Sequence, residues 1–152
     1  GMAMSRDAVQ VVPTTFVPHE GWVAVTADEV AQGLKGRDMV LIDARAPDRF
    51  RGENEMLDPV GGHIPGARNR FFRDNLGSDL RFRAVDMLRA EFAAALRGSD
   101  PGKVIHQCGS GVTACHNMLA MELAGMAGSR LYAGSWSEWC ADPTRPVATG
   151  AA

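Results

Sequence analysis

The stretch KVIHQCGSGVTACHN, Lys103 to Asn117, limits the fold more than any other part of the chain. An apolar run short enough for a buried strand ends in Cys108. Two glycines and two hydroxyl residues follow within five positions, and then a helical pattern begins. The chain must turn sharply between strand and helix, and Gly109 and Gly111 permit backbone angles that other residues resist.

The rest of the chain repeats that alternation. WVAV is a short strand, and Thr26 with Glu29 three residues on is a capping box opening a helix from about Ala27 to Leu34. MVLID is a second buried strand ending in a carboxylate, APDRF a short helical turn, and Ala67 to Asn69 a short strand inside a loop punctuated by Gly and Pro. Val85, Leu88, Phe92 and Leu96 share one face, so Ala84 to Arg97 is an amphipathic helix. Thr113 to Ala124 is apolar on nearly every side and should be heavily buried, SRLYAG is a further strand, and SWSEW a short helix. Strands alternating with helices define an α/β domain with a mostly parallel sheet. Sites in such sheets gather at the carboxyl ends of strands, here LIDAR and VIHQC.

Length and composition exclude several classes. At 152 residues the chain is one domain of ordinary globular composition, large enough to bury a core. Residues 22–152 read as that domain. Residues 1–21, with Pro13 and Pro18 and little period, read as an arm or linker remnant, and Gly1-Met2 as an expression scar. A net charge of -2 argues against nucleic acid as the main partner. No apolar run approaches the roughly 20 residues that span a bilayer. Three cysteines without a CxxC pair point to a reducing compartment, taken as cytoplasmic. His19, His63, His106 and His116 show no metal-ligand spacing, and no metal or organic cofactor is expected.

The chemistry centres on Cys108. A tight turn into a helix N-terminus aims successive N–H groups inward and makes a nest for an anion, which stabilises a thiolate. Ser110 and Thr113 add hydroxyl donors. Free cysteine is among the most buried residue types, and that reading suits Cys115, within the helix, and Cys140. Strand end, glycine spacing and helix start together favour a functional Cys108. Cysteine-based phosphatase chemistry needs a cation six residues after the nucleophile, where this chain has Ala114. A protease-type cysteine needs a partnered imidazole, and neither His106 nor His116 is specified as one. There remains a thiolate that accepts a small atom and hands it on; attack on a sulfane sulfur yields a persulfide, itself an anion such a nest can hold.

Four segments in order, LIDAR with DRF, GHIPGARN, CGSGVTA and LYAGSWSEW, resemble the hallmarks of the rhodanese superfamily, in particular mercaptopyruvate and thiosulfate sulfurtransferases. The likeness runs from about Trp22 to Thr149. It implies a rhodanese-like fold, a small mostly parallel sheet flanked by helices, with Cys108 carrying a persulfide in a cradle of Gly109, Ser110, Gly111, Val112 and Thr113. It implies that Arg49 binds the anionic end of the donor and that Asp43 and Arg45 organise the loops. His63, Pro65 and Gly66 shape a turn, and Trp136 and Trp139 are either core or pocket wall. Sulfur would pass from thiosulfate or 3-mercaptopyruvate to cyanide or a thiol.

Two departures bear on the donor. Thiosulfate-preferring members often carry basic residues where this chain has Gly109 and Ser110, and mercaptopyruvate types carry a second arginine where it has Asp58. Relatives with this loop often have two such domains in tandem, so an absent N-terminal rhodanese domain is an expected partner. The rival classes are a cysteine phosphatase or arsenate-handling enzyme on the same fold, and a non-catalytic binding module.

Overall fold

The computed structural model describes residues 12–15, 17, 21, 23–36 and 38–151. The expected arm and scar, His19 and Trp22 lie largely or wholly outside the described residues. Five parallel strands form the sheet: β1 (Ala24–Val25), β2 (Val40–Asp43), β3 (Arg68–Asn69), β4 (Val104–Gln107) and β5 (Arg130–Tyr132), in spatial order β1-β5-β4-β2-β3. The helices are α1 (Ala27–Gly36), α2 (Pro47–Arg51), α3 (Val85–Leu96), α4 (Val112–Leu123) and α5 (Ser135–Ala141). The expected rhodanese-like α/β architecture is what the chain adopts.

All eight residues of the central strands β2 and β4 are buried, as a sheet covered on both faces requires. Their side chains alternate. Leu41 and Ile105 face a core with Val30 of α1 and Trp136 and Trp139 of α5; Val40, Ile42 and Val104 face one with Phe92 and Leu96 of α3 and Met121 of α4. Register runs from Val40 opposite Val104 to Asp43 opposite Gln107. The carboxyl ends of β2 and β4 therefore finish side by side, which brings the LIDAR and VIHQC segments together.

Local chemistry sets the boundaries. Thr26 donates its N–H to Glu29 Oε2 at 2.7 Å, and Thr26 Oγ1 accepts the Glu29 N–H at 3.3 Å, so the capping box starts α1 where expected. Pro47 opens α2, and Gly52, with φ 81°, closes it.

The structure corrects two expectations and decides between the two readings of a third. Val85 is 45% exposed, because it opens α3 ahead of the buried stripe of Leu88, Phe92 and Leu96. Helix α4 starts one residue early, at Val112, and is not buried all round: Leu119 and Leu123 are exposed. Its outer face is apolar too, so the sequence pattern hides which side meets solvent. Trp136 and Trp139 are core, fully buried, with their indole N–H groups donating to the carbonyls of Val60 and Pro146.

Candidate active site

Cys108 directly follows β4 and lines a cavity of about 280 Å³, walled also by Arg49, Asp58, Phe71, Phe72 and residues of the loop from Gly109 to Thr113. Larger open grooves of about 680 and 740 Å³ lie elsewhere and contain no cysteine. Cys108 is buried and unbridged. Its N–H donates to Ser135 Oγ at 3.0 Å, and Ser135 Oγ donates to the Tyr132 carbonyl at 2.9 Å. The carbonyls of Cys108 and Gly109 accept from the N–H groups of Trp136 and Ser137. Helix α5 thus grips the loop from outside.

That grip leaves the loop's inner surface free. Among the described residues, the N–H groups of Gly109, Ser110, Gly111, Val112 and Thr113 meet no acceptor. They form the turn into α4, where a partial positive charge favours an anion. Gly111 sits at φ 82°, and a Cβ there would stand 2.6 Å from the Ala133 carbonyl oxygen, so only glycine fits without displacing backbone. Val112 is 73% exposed at the rim.

The expected supporting pair is buried beside this loop. Asp43 accepts the Arg45 N–H at 2.9 Å and pairs with the guanidinium at 2.8–3.2 Å. Burial pulls the Asp43 carboxyl above its ordinary range against these donors. Arg45 also donates to the Gly62 carbonyl and stacks over Trp136 at 4.8 Å. His63 is structural: stacked on Phe50 and hydrogen-bonded to its carbonyl.

Arg49 reaches the cavity already engaged. Its Nη2 donates to both oxygens of Glu55, at 2.7 and 2.9 Å, and to Asp58 Oδ2 at 3.4 Å. Asp58 Oδ1 accepts the Ser137 hydroxyl at 2.6 Å. Burial pushes the Glu55 carboxyl up, but Arg49 and the N–H groups of Leu57 and Asp58 outweigh it, and the net shift is down. Asp58, nine residues from Arg49, thus lies against the guanidinium and not apart from the site.

Neither histidine near the loop in sequence serves as a base. Burial holds His106 neutral with its pKa pushed down to about 3, and its Nε2 lies 3.1 Å from Met121 Sδ. His116 packs against Phe72 and Phe82. Ala114 is fully buried against Cys108 and Ala44, so the position a phosphatase gives to its cation is filled by core. Sequence reasoning missed Glu55, Ser135, Ser137, Phe71 and Phe72. Glu55 lies in an aperiodic loop, and the other four, two just after β3 and two in α5, carry no chemical pattern of their own.

The domain thus sets a cysteine beside N–H groups that meet no acceptor among the described residues, at the carboxyl edge of a parallel sheet, an arrangement that suits an anion. The rhodanese-like domain family model matches residues 26–142, and the chain belongs to that family. It is 60% identical, over 99% of its length and 53% of the relative's, to the Pseudomonas aeruginosa protein named "Probable 3-mercaptopyruvate sulfurtransferase". It is 39% identical to a Mus musculus thiosulfate sulfurtransferase over 75% of this chain and 39% of that one. The chain therefore spans about half, or less, of the length of these relatives. Its fold also matches a solved structure of EanB in which ergothioneine is covalently linked with a cysteine persulfide, with TM-score 0.75 and 26% identity over 92% of this chain and 36% of that one.

Proposed function

We propose that the chain is a sulfurtransferase that moves a sulfane sulfur from thiosulfate or 3-mercaptopyruvate to cyanide or a thiol through a persulfide on Cys108. The observation that carries the reading is the row of unpaired N–H groups from Gly109 to Thr113 around that cysteine. The family likeness supports the same chemistry, since the relatives are named for both donors.

The route is a two-step exchange. The Cys108 thiolate attacks the outer sulfur of the donor and a new S–S bond forms. With thiosulfate the original S–S bond breaks and sulfite leaves with the electron pair. With 3-mercaptopyruvate the C–S bond breaks, and the sulfhydryl proton ends on the methyl carbon of pyruvate. The nest stabilises the thiolate and then the terminal persulfide anion. Cyanide or a thiolate attacks that terminal sulfur, the S–S bond breaks, and the Cys108 thiolate returns. Gly109, Ser110, Gly111, Val112 and Thr113 hold the anion, Arg49 orients the donor, and Asp43 and Arg45 fix the loops. The three unbridged cysteines support a reducing, cytoplasmic setting. Among the described residues no helix is long and apolar enough to cross a membrane.

Mass spectrometry after incubation with each donor tests the reading. One added sulfur atom is expected on the wild-type protein and none on Cys108→Ser; equal loading of the variant overturns it. The buried Ala114 disfavours a phosphatase, for which turnover of an aryl phosphate would be required.

A further inference from the structure

We propose that Glu55 and Asp58 make the mouth of this site a charge filter that admits monoanionic sulfur donors, rejects dianionic ones, and favours thiol acceptors bearing an amine. This rests on the sulfurtransferase reading and names the substrates that the site would take.

Around Arg49 and the buried pair behind it, negative charge outnumbers positive. Two guanidiniums, Arg45 and Arg49, face three carboxylates, Asp43, Glu55 and Asp58. The Cys108 thiolate adds a further negative charge once formed. Arg49, the cation expected to read the donor, has its Nε and Nη2 committed to Glu55 at 2.7–3.2 Å. Glu55 cannot swing aside cheaply. Its side chain is 4% exposed, and it accepts the N–H groups of Leu57 at 3.0 Å and Asp58 at 3.2 Å. A donor anion that took the bidentate face of Arg49 would leave that carboxylate buried with its main partner lost.

One arm of Arg49 stays open. Among the described residues Nη1 donates to no acceptor, and it stands 3.7 Å from where a Cβ on Gly109 would sit. That places this arm beside the first residue of the cradle, at a distance a side chain there would not disturb. The single open amino group of a neutralised arginine suits one carboxylate and is poorly matched to a second negative charge. Asp58 lines the same cavity, so a cationic group entering beside the sulfur meets a carboxylate there. The filter thus acts on both halves of the reaction, against thiosulfate in the first and for an aminothiol in the second.

The experiment compares kcat/KM for thiosulfate and 3-mercaptopyruvate in the wild type, Glu55→Gln and Asp58→Asn. Both replacements keep an acceptor oxygen, so the loop retains its N–H partners, and circular dichroism checks the fold. The filter predicts that Glu55→Gln raises the thiosulfate value about tenfold or more while the 3-mercaptopyruvate value moves less than about threefold, with Asp58→Asn changing in the same direction by less. It predicts that wild-type thiosulfate turnover rises with ionic strength, because salt screens repulsion; an attractive cationic site would give a fall. With the persulfide preloaded, 2-mercaptoethylamine should outrun 2-mercaptoethanol, 3-mercaptopropionate should trail both, and Asp58→Asn should narrow that spread. An unchanged donor ratio in both variants, or thiosulfate turnover that falls with salt, overturns the filter. Failure of both donors to load Cys108 overturns the sulfurtransferase reading instead, so the two failures are distinguishable.

Discussion

The two walls of the cavity are made in opposite ways. The wall from Cys108 to Thr113 is backbone: its N–H groups from Gly109 to Thr113 meet no acceptor among the described residues, and α5 holds the carbonyls of Cys108 and Gly109. The wall from Arg49 to Asp58 is side chain: guanidiniums and carboxylates interlocked, with one link from Asp58 to Ser137 joining the two walls. A backbone wall offers the same field to any anionic sulfur, whatever molecule delivered it. A side-chain wall is altered by single substitutions and so sets which molecule delivers. Within one small site, the reaction and its choice of substrate are carried by different kinds of group.

The largest effect expected on this contrast comes from the buried cation behind the side-chain wall. Arg45→Met leaves Asp43 and Glu55 in the interior without their shared partner, a loss of about 3–5 kcal/mol. Arg49→Met takes the bidentate partner from Glu55 but leaves it Arg45 and two N–H donors, and should cost less, about 1–3 kcal/mol, while weakening donor capture. Urea unfolding of the two variants measures the gap. Equal losses would mean that the arm is a structural unit throughout, with no part set aside for substrate.

The backbone wall breaks at one atom. Gly111→Ala adds a Cβ 2.6 Å from the Ala133 carbonyl oxygen at a φ of 82°, so backbone must move. Strain alone costs about 1–3 kcal/mol. Displaced cradle donors should slow sulfur loading by about 10²-fold or more. Gly109→Ala is the control: its nearest neighbour, Arg49 Nη1, lies at an ordinary 3.7 Å, and it should fold normally. Comparable loading rates in the two variants would remove the special standing of Gly111.

The same contrast explains what could be read from the sequence. The backbone wall was legible because its requirements are local: an apolar strand, glycines where the chain turns, and a helix start, all within adjacent residues. The capping box of Thr26 and Glu29 was legible for the same reason. The side-chain wall was half legible. Asp58 stood out as a charge of unexpected sign, but Glu55 did not, because its bond to Arg49 depends on how an aperiodic loop folds back over α2. Ser135 was hidden in another way. It adopts φ 55°, unusual for a residue with a Cβ, in order to accept the Cys108 N–H, and no sequence period marks such a position. The exposed face of α4 was misread since Leu119 and Leu123 look like core.

Acid should separate the walls by a smaller margin. His106 lies on β4 and His116 on α4, on either side of the cradle, and burial lowers the pKa of both, His106 to about 3. His106 is held neutral in the fold and His116 takes up its proton less readily there, while the unfolded chain takes up both protons below about pH 6.5. Their contribution is therefore fully present above that pH and falls as pH drops, for His106 down to about 3, by up to about 1.4 kcal/mol per pH unit. Glu55 has its carboxyl lowered from 4.5, so what it contributes is present above that value and lost only below it. Asp43, raised by burial, works in the opposite sense to the histidines, so a difference between wild type and variant is needed to isolate them. Between pH 6.5 and 4.5, His106→Gln should flatten the dependence of stability on pH, and Glu55→Gln should leave its slope unchanged. Chemical unfolding at half-unit steps of pH measures both. A flattened slope in the Glu55 variant instead would place the acid-sensitive element in the side-chain wall, and the cradle would then rest on a strand indifferent to pH.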